Sequence, residues 1–442
     1  MDGAVMLERK ISKRLLEWKS TKHNQGLLVT GARQVGKTFA IERFAREQYA
    51  SSIKIDFVEQ PDAVGIIAGA RNLDDLVMRI TALASEPLQE GKTLLFFDEV
   101  QRCGDSITWM RYLAADPRFD VIYSGSMLGV EAYDFRSLPV GTIDIVEMFP
   151  MDFEEFSWAY GVLPTLWDVV RQCYAEEREV PDFIHERLID CFYRYVLVGG
   201  MPEAVKTYVT TKDTQAMRAR QKSILDAYRA DITRYVRDPE HSQRIKTIFN
   251  AVPAQLNKEN RRFAVSGIDK TRRFLQLQPD FDWLENAGVV IPVRRVGDAA
   301  FPLGLQCENG QFKLYMSDCG LLFSTFGSQD VEDILLRAET LNLGLVFENA
   351  VAQELRAAGR DSLYYYSTRG RGEVDFLIEK RNLPEVVPVE VKSGKGFRRH
   401  ASLDNLMRVE NYHLKEARVL YPGNVMREGS VLYLPLYMTG LL

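Results

Sequence analysis

Two kinds of hydrophobic pattern alternate along the first 150 positions. Short runs rich in apolar residues predict strands, and longer stretches with apolar residues at intervals of three and four predict amphipathic helices. The strands are expected at 27–30, 53–57, 93–97, 120–124 and 142–146, and the helices at 7–20, 38–49 and 73–84. Strands that alternate with helices predict an α/β domain built on a parallel sheet.

The pattern changes twice in the rest of the chain. Helical spacing predominates from Asp152 to Tyr235, with one interruption at 198–202, a segment that contains two glycines. Short helices and a strand at 289–293 then predict a winged-helix-like region, an element that reads nucleic acid in some proteins and is a lid or dimer module in others. Beyond it, a helix and three strands predict a second α/β domain. The expected domains are 1–150, 151–235, 236–325 and 326–442.

The turn between the first strand and the next helix has the sequence GARQVGKT, at 31–38. This sequence fits G-x-x-x-x-G-K-[S/T], a phosphate-binding loop, and its place between a strand and a helix fits as well. Backbone N–H groups of such a loop, together with the helix N-terminus, bind phosphate oxygens. The residues expected to hold a nucleotide are Gly31, Ala32, Arg33, Gln34, Val35, Gly36, Lys37, Thr38 and Phe39.

Two side chains of this loop have specific expected roles. Lys37 would reach the β- and γ-phosphates, and the Thr38 hydroxyl would bind Mg²⁺. The alternative is a tight strand-to-helix turn with an accidental lysine, but the motif and its context would then both be coincidences. The loop therefore predicts a nucleoside triphosphate and Mg²⁺ as cofactors.

A pair of carboxylates follows the strand at 93–97. Asp98 ends this strand at the edge where ligands bind in open α/β sheets, and we expect it to hold Mg²⁺ through water. Glu99 would polarise the attacking water as the catalytic base. Such a pair also suits a general metal site, but the upstream phosphate loop favours the ATPase interpretation.

The next strand ends in Ser124-Gly125-Ser126. Ser124 lies closest to the apolar run, and we expect its hydroxyl to face the γ-phosphate or the attacking water. The alternative is a Ser-Gly-Ser turn that caps the following helix. Ser124 therefore joins Lys37 and Glu99 as a candidate catalytic residue.

A separate group of charged residues lies in the last third of the chain. Glu348 lies in a predicted helix, Asp375 in a predicted strand, and Glu390 and Lys392 share one face of the next strand. This arrangement is typical of metal-dependent restriction-type nucleases. Asp375 and Glu390 would ligate Mg²⁺, Lys392 would orient the water, and Glu348 would complete the metal shell. An ordinary hairpin with a Glu-x-Lys ion pair is the alternative, and a nuclease-like fold can persist without activity.

Composition limits the class of protein. The 442 residues have 46% hydrophobic content, enough for several ordinary cores. No apolar run reaches the roughly 18–20 residues that span a bilayer, and the first ten residues lack the apolar stretch of a secretory signal. Five cysteines without C-x-x-C spacing are typical of reduced thiols. We therefore expect a soluble, cytoplasmic protein without a membrane partner.

Charge is distributed unevenly along the chain. The net charge is −5, but residues 206–275 contain 16 Lys and Arg against 7 Asp and Glu, a local net of +9 that leaves −14 for the rest. A basic segment in an acidic protein suggests a polyanion such as DNA or RNA as partner. Solvated helix faces, or a surface that docks on the acidic remainder, would explain the same run.

Nine blocks of sequence, taken in order, point to one family. They are GARQVGKT at 31–38, FFDEVQR at 96–102, YSGSML at 123–128, SLPVGTIDIVEMFPMDFEEF at 137–156, VGGMPEAV at 198–205, DITRY at 231–235, FENAVAQEL at 347–355, GEVDFLIE at 372–379 and PVEVKSG at 388–394. Over nearly its whole length the chain resembles prokaryotic ATP-binding proteins in which an AAA+-type ATPase domain precedes a DUF4143 domain. Arg33 in the phosphate loop and Gln101 after the acidic pair are typical of that family.

The resemblance implies an architecture and a nucleotide. It implies an α/β P-loop domain of AAA+ type, a helical lid, a winged-helix-like middle and a C-terminal α/β domain of the restriction-nuclease type. It also implies ATP rather than GTP, and no guanine-reading N-K-x-D sequence occurs in the chain. By analogy with AAA+ ATPases, an arginine of a neighbouring subunit in a homo-oligomer would act on the γ-phosphate. Arg136 is the candidate, and Arg194 is a weaker lid contact. A surface ion pair is the alternative for each.

Two classes of function stay open. In the first, the nucleotide state of an ATPase controls a C-terminal module that processes or binds nucleic acid; the acidic residues with their lysine and the basic segment favour it. In the second, a nucleotide-dependent switch binds a protein partner and the nuclease-like fold is an inactive scaffold; the overall negative charge favours it. A sequence-specific repressor is a third reading, supported only by the winged-helix-like pattern.

Overall fold

The computed structural model describes residues 6–21, 25–84, 86–125, 142–258, 261–270, 272–337 and 343–442. Contacts within the chain separate two units. The first is Glu8–Phe149 with Asn286–Gly288, and the second consists mainly of Pro150–Glu285 and Val289–Leu442. Within the described ranges, no helix is both long enough and apolar enough to cross a membrane.

The first unit is built on a five-stranded parallel sheet. Its strands are β1 (Gly26–Thr30), β2 (Ser51–Asp56), β3 (Thr93–Asp98), β4 (Phe119–Ser124) and β5 (Ile143–Glu147), in the spatial order β2–β3–β4–β1–β5. Its helices are α1 (Ile11–Thr21), α2 (Lys37–Gln48), α3 (Asp62–Ala68), α4 (Leu73–Leu83) and α5 (Gly104–Ala114). The α/β class and the parallel sheet predicted from spacing are confirmed.

Strand β3 lies between two hydrophobic cores. Neighbouring residues of a strand point to opposite faces of its sheet. Leu94 and Phe96 accordingly pack with side chains of α1 and α2, whereas Leu95 and Phe97 pack with side chains of α3, α4 and α5. All six residues of β3 are buried. Asp98, at its carboxyl end, is therefore held in place by both cores.

The order of the strands brings three chain segments to one edge of the sheet. Strand β4 lies between β1 and β3, with Val29 opposite Ser124 and Phe97 opposite Tyr123. All of these pairings are parallel, and parallel strands present their carboxyl ends at the same edge. The loop after β1, the carboxylate that ends β3 and Ser124 at the end of β4 are therefore neighbours.

The second unit contains most of the helices in the described ranges. They are α6 (Phe153–Ala159), α7 (Pro164–Ala175), α8 (Asp182–Val198), α9 (Pro202–Thr211), α10 (Thr214–Tyr235), α11 (Pro239–Leu256), α12 (Phe274–Asn286), α13 (Cys319–Phe323), α14 (Ser328–Leu335), α15 (Gly344–Ala357) and α16 (Ala401–Met407). Helix α6 starts with a capping box, because Asp152 accepts from the Glu155 N–H at 2.9 Å and the Glu155 side chain accepts from the Asp152 N–H at 3.3 Å. The block DFEEF is thus a helix start.

An eight-stranded mixed sheet completes the second unit. Its strands are β6 (Val290–Val296), β7 (Cys307–Met316), β8 (Leu363–Thr368), β9 (Gly372–Glu379), β10 (Val386–Val391), β11 (Ala417–Tyr421), β12 (Met426–Glu428) and β13 (Val431–Pro435), in the order β12–β13–β11–β10–β9–β8–β6–β7. The expected C-terminal sheet domain is present.

The two strands of the region for which we expected a winged helix extend this sheet. Strand β6 pairs antiparallel with β7 on one side and parallel with β8 on the other, with Val293 opposite Leu363. Local sequence patterns cannot predict which distant strands pair with each other. The division into four domains stays a prediction.

Helix α15, which carries the FENAVAQEL block, is a buried polar helix. Asn349 makes two hydrogen bonds with the backbone of Met316, at 2.9 and 3.0 Å. Gln353 accepts from the Cys319 N–H at 2.8 Å. The Glu354 carboxylate accepts from the Tyr195 hydroxyl at 2.7 Å. These hydrogen bonds offset the cost of burying the three polar side chains, and they join the helix to α8, the end of β7 and α13.

Candidate functional site

The loop between β1 and α2 has left-handed backbone at three positions. The φ angle is 138° at Gly31, 66° at Gln34 and 96° at Gly36. A Cβ atom on Gly31 would lie 2.1 Å from the carbonyl oxygen of Met148, so only glycine fits there. No side chain caps the start of α2 at Gly36. The first N–H groups of a helix lack partners within the helix, which suits them to bind an anion.

The Lys37 side chain is folded back onto the loop. Its ammonium group donates to the carbonyl oxygens of Gly31 at 3.0 Å and Ala32 at 2.9 Å, and the side chain is buried. Burial lowers the pKa of Lys37, while the nearby Glu99 and Asp98 carboxylates raise it. Two neutral carbonyl groups are weak partners for a buried ammonium group compared with phosphate oxygens.

Asp98 accepts hydrogen bonds from both hydroxyls of the site. Thr38 Oγ1 donates to Asp98 Oδ2 at 2.7 Å, and Ser124 Oγ donates to Oδ1. The Glu99 N–H also donates to Oδ1, at 3.0 Å. Asp98 is only 2% exposed. Three of the sequence-predicted residues, each from a different segment, therefore meet around one buried carboxylate.

Glu99, next to Asp98, has a left-handed backbone conformation. Its φ is 55°, an uncommon value for a non-glycine residue, and its carboxylate accepts a hydrogen bond from the Gln101 side-chain amide. The amide oxygen of Gln101 is buried and has no hydrogen-bond partner within the described residues. A buried polar atom in this position is an available acceptor for a water molecule beside Glu99.

The other predicted residues of this site differ in their environment. Val35 is buried, and its carbonyl oxygen accepts from Arg9 at 2.7 Å, whereas Phe39 is half exposed. Arg136 lies outside the described residues. Arg194 lies on α8 in the second unit, where it forms an ion pair with Asp190, four residues earlier on the same helix.

In the second unit, the four predicted residues of the nuclease-like site lie on α15, β9 and the β10 end. Lys392 Nζ donates to Glu390 Oε1 at 2.7 Å. Asp375 Oδ2 accepts from the Val391 N–H at 2.9 Å. Glu348 Oε2 accepts from the Tyr315 hydroxyl at 2.9 Å. Burial, followed by the Asp375 charge, raises the pKa of Glu390.

A lysine that the sequence analysis did not select lies among these carboxylates. Lys313 Nζ, on β7, is 2.7 Å from Glu373 Oε1 and 3.8 Å from both Glu348 Oε2 and Asp375 Oδ1. Its side chain is fully buried. Burial lowers the pKa of Lys313, but Tyr315, Asp375 and Glu373 outweigh burial and raise it above its usual value. The group is therefore an ammonium cation.

Two further cations near the predicted sites were also missed. Arg261 forms an ion pair with Glu348. In the first unit, Lys54 Nζ lies 4.0 Å from Asp98 Oδ2 and 2.9 Å from Glu42 Oε1. Lys54 and Lys313 are each flanked by apolar residues in a strand, and that position is the one signal in the sequence that could have identified them.

No group of three or more His, Cys, Asp or Glu side chains is arranged to hold a metal ion in the part of the chain that the structure describes. This applies directly to Glu348, Asp375 and Glu390, all of which are described. Most of their oxygens face lysine, arginine, tyrosine or backbone donors instead, and Glu390 Oε2 has no hydrogen-bond partner within the described residues.

The first unit defines the class of the protein. A parallel sheet, a left-handed loop before α2 with a lysine, and a buried carboxylate at the neighbouring strand ends define an ATP-binding P-loop protein of the AAA type. The family model of the AAA domain matches residues 23–157. Two domains of unknown function also match, DUF8612 at 189–332 and DUF4143 at 343–437. The chain belongs to the AAA proteins with a C-terminal DUF4143 domain, as its motifs predicted.

Comparison with other proteins adds distant likenesses only. No curated protein matches the sequence. Among solved structures, Orc1 of Aeropyrum pernix in complex with DNA is 12% identical over 76% of this chain and 95% of its own, with a TM-score of 0.29. The RuvB Holliday junction branch migration motor of Thermotoga maritima is 16% identical over 64% and 89%, with a TM-score of 0.29. Cdc6p of Pyrobaculum aerophilum is 12% identical over 79% and 97%, with a TM-score of 0.27. TM-scores this low carry no functional inference.

Proposed function

We propose that the AAA domain binds and hydrolyses ATP with Mg²⁺. The observation that carries this proposal is the meeting of the Thr38 and Ser124 hydroxyls on the two oxygens of buried Asp98, next to Lys37 and Glu99. Hydroxyl and carboxylate oxygens are the ligands that Mg²⁺ prefers. Bound Mg²⁺ would offset phosphate charge at this edge of the sheet.

The side chains of the site have separate roles in this proposal. Lys37 exchanges its two carbonyl partners for oxygens of the β- and γ-phosphates, a stronger charge-assisted contact. Glu99 accepts a proton from, or orients, the attacking water, and Gln101 holds the Glu99 carboxylate. Arg33, Gln34 and the other loop residues up to Phe39 surround the nucleotide. Arg136 stays the candidate for contact with the γ-phosphate of a neighbouring subunit.

Two variants test the proposal by separating binding from turnover. We expect Lys37→Ala to lose ATP binding, measured by titration calorimetry, and Glu99→Gln to bind ATP but not release phosphate in a steady-state assay. Lys92→Ala, an exposed lysine just before β3, is the matched control and should behave as wild type. Normal turnover by Glu99→Gln would remove Glu99 as the base, and normal binding by Lys37→Ala would refute the phosphate role of the loop.

We further propose that the nucleotide state controls the C-terminal nuclease-like module, and that the second unit, to which this module belongs, associates with DNA or RNA. Support comes from exposed cations of the basic segment that have no ion-pair partner within the described residues. Those on α9, on α10 and just after α10 are Lys206, Arg220, Lys222, Arg234 and Arg237. Unpaired exposed cations are available to phosphates, whereas paired ones are already partly neutralised.

A charge-matched pair of triple variants tests nucleic-acid binding. Replacing Arg220, Lys222 and Arg234 with alanine should weaken binding of labelled duplex DNA or RNA and reduce the slope of log K against log salt by roughly 2–3. The control replaces Arg178, Arg398 and Lys415, exposed cations that are each paired with a glutamate. Equal effects of the two triple variants would show only a general response to net charge and would refute this surface.

One observation favours the second function class, a switch that binds a protein partner. Lys313 occupies the centre of the carboxylate group that a nuclease would need for its metal. Under this alternative the nuclease-like fold is an inactive scaffold, and Glu99→Gln with ATP would hold the partner-binding state. Capture of a protein by Glu99→Gln with ATP, but not by Lys37→Ala, together with no nucleic-acid binding, would favour it over the first.

A further inference from the structure

The carboxylates of the second unit form a compact cluster with its own cations. The acidic members are Glu348, Glu373, Asp375 and Glu390, and the cations in contact with them are Arg261, Lys313 and Lys392. Four negative and three positive groups leave a formal charge of −1. The three cations therefore already offset most of the carboxylate charge that would otherwise attract a divalent ion.

Several oxygens of the cluster already have partners, whereas the buried Glu390 Oε2 has no hydrogen-bond partner within the described residues. On Glu348, one oxygen pairs with Arg261 and the other lies 2.9 Å from the Tyr315 hydroxyl. One oxygen of Asp375 accepts from the Val391 N–H, and the other is 3.8 Å from Lys313 Nζ. A metal site needs several oxygens that converge on one point and are free to bind the ion. Here the group at the point of convergence is the Lys313 ammonium.

Lys313 is held in this place by its burial. Its side chain is completely buried, packs 5.1 Å from the centre of the Tyr365 ring, and is 2.7 Å from Glu373 Oε1. A fully buried lysine cannot move into solvent to make way for a metal without opening the surrounding core. An ion that competed for Glu348 and Asp375 would therefore also have to overcome this packing.

We propose that Lys313 is the resident cation of the acidic cluster, in the place where a divalent metal would otherwise bind. The proposal concerns the DUF4143-containing unit alone and does not depend on ATP hydrolysis in the other unit. It also predicts that a metal site can be gained. Removal of the ammonium group, with the length of the side chain retained as in Lys313→Met, leaves converging carboxylates and creates a Mn²⁺ site.

The first experiment compares wild type with Asp375→Asn. Full-length protein without nucleotide is titrated with Mn²⁺, and free Mn²⁺ is followed by electron paramagnetic resonance. Weak binding at the AAA domain is common to both proteins, so the difference reports the cluster. We expect coincident isotherms. An additional Mn²⁺ bound by wild type and lost in Asp375→Asn would overturn the proposal.

The second experiment tests the gain of a site. Lys313→Met should bind one more Mn²⁺ than the double variant Lys313→Met/Asp375→Asn, and Mn²⁺ should raise its melting temperature but not that of wild type. Folded Lys313→Met that binds no more Mn²⁺ than the double variant would overturn the proposal. If Lys313→Met does not fold, the wild-type comparison with Asp375→Asn decides alone.

Discussion

The two units satisfy buried carboxylates in opposite ways. At the end of β3, Asp98 accepts from two hydroxyls and a backbone N–H, and the nearest cation, Lys54, is 4.0 Å away. In the second unit, Glu348 and Glu373 lie against Arg261 and Lys313. Neutral donors stabilise a carboxylate but leave its charge available, whereas cations neutralise it. The charge of the buried carboxylate thus stays available in the first unit and is neutralised by cations in the second.

The largest expected difference between the two sites is catalytic. Asp98→Asn removes the charge that would hold Mg²⁺, and we expect kcat for ATP hydrolysis to fall by about 10²–10³-fold, the usual loss for one essential electrostatic group. Asp375→Asn is the matched change in the other unit and should leave kcat unchanged. Phosphate release under saturating ATP measures both. Similar losses in the two variants would mean that the two sites do not act separately.

For stability, the larger effect is expected in the second unit. Glu348→Gln removes the carboxylate partner of Arg261 and one of the three carboxylates around the fully buried Lys313, and breaking a buried ion pair costs about 3–5 kcal/mol. Asp98→Asn keeps one oxygen that can accept from a hydroxyl, and its nearest cation is 4.0 Å away. The loss in the free energy of unfolding should therefore be small. Thermal unfolding followed by circular dichroism should show the lower midpoint for Glu348→Gln. A lower midpoint for Asp98→Asn would contradict the contrast.

Asp318 shows a third way to satisfy a buried carboxylate. Its closest hydrogen-bond donors are backbone N–H groups. It accepts from the N–H groups of Gly200 at 2.6 Å and Leu321 at 2.9 Å, and burial raises its pKa from 3.8 to about 6. The folded chain therefore binds an extra proton between these two values. The free energy of unfolding should fall as pH rises from about 4 to about 6, by at most about 3 kcal/mol.

Asp318→Asn is the variant that tests this pH dependence. The amide cannot ionise, so the part of the decline between pH 4 and 6 that belongs to Asp318 should be missing from its pH profile. Unfolding by urea at several pH values gives the two profiles, and their difference isolates the group. Parallel profiles for wild type and Asp318→Asn would show that Asp318 does not titrate in this range.

The sequence indicated which side chains meet more completely in the first unit than in the second, for a physical reason. The phosphate loop, Asp98 and Ser124 are each encoded by a few adjacent residues, a strand and the turn that follows it, and parallel strands then bring their ends together. Lys313 instead meets Asp375 because β6 pairs with β8, a contact between segments about 70 residues apart. Hydrophobic spacing specifies each strand but not its distant neighbour. The Glu-x-Lys motif could therefore be recognised in the sequence, whereas the position of Lys313 among the carboxylates could not.

The smallest expected effect distinguishes the two hydroxyls on Asp98. Ser124→Ala removes one of them and leaves the carboxylate, Thr38 and the loop in place. Loss of one hydrogen bond to a charged group is worth about 1.5–3 kcal/mol, so kcat should fall by about 10–150-fold while the Kd for ATP changes little. Ser106→Ala is the control, because Ser106 is equally buried in the same unit but donates to the carbonyl oxygen of Cys103. Single-turnover hydrolysis separates the two constants. If Ser124→Ala hydrolyses ATP as fast as Ser106→Ala, the Ser124 hydroxyl serves only the folded structure, and Asp98 alone carries the electrostatic role at this edge of the sheet.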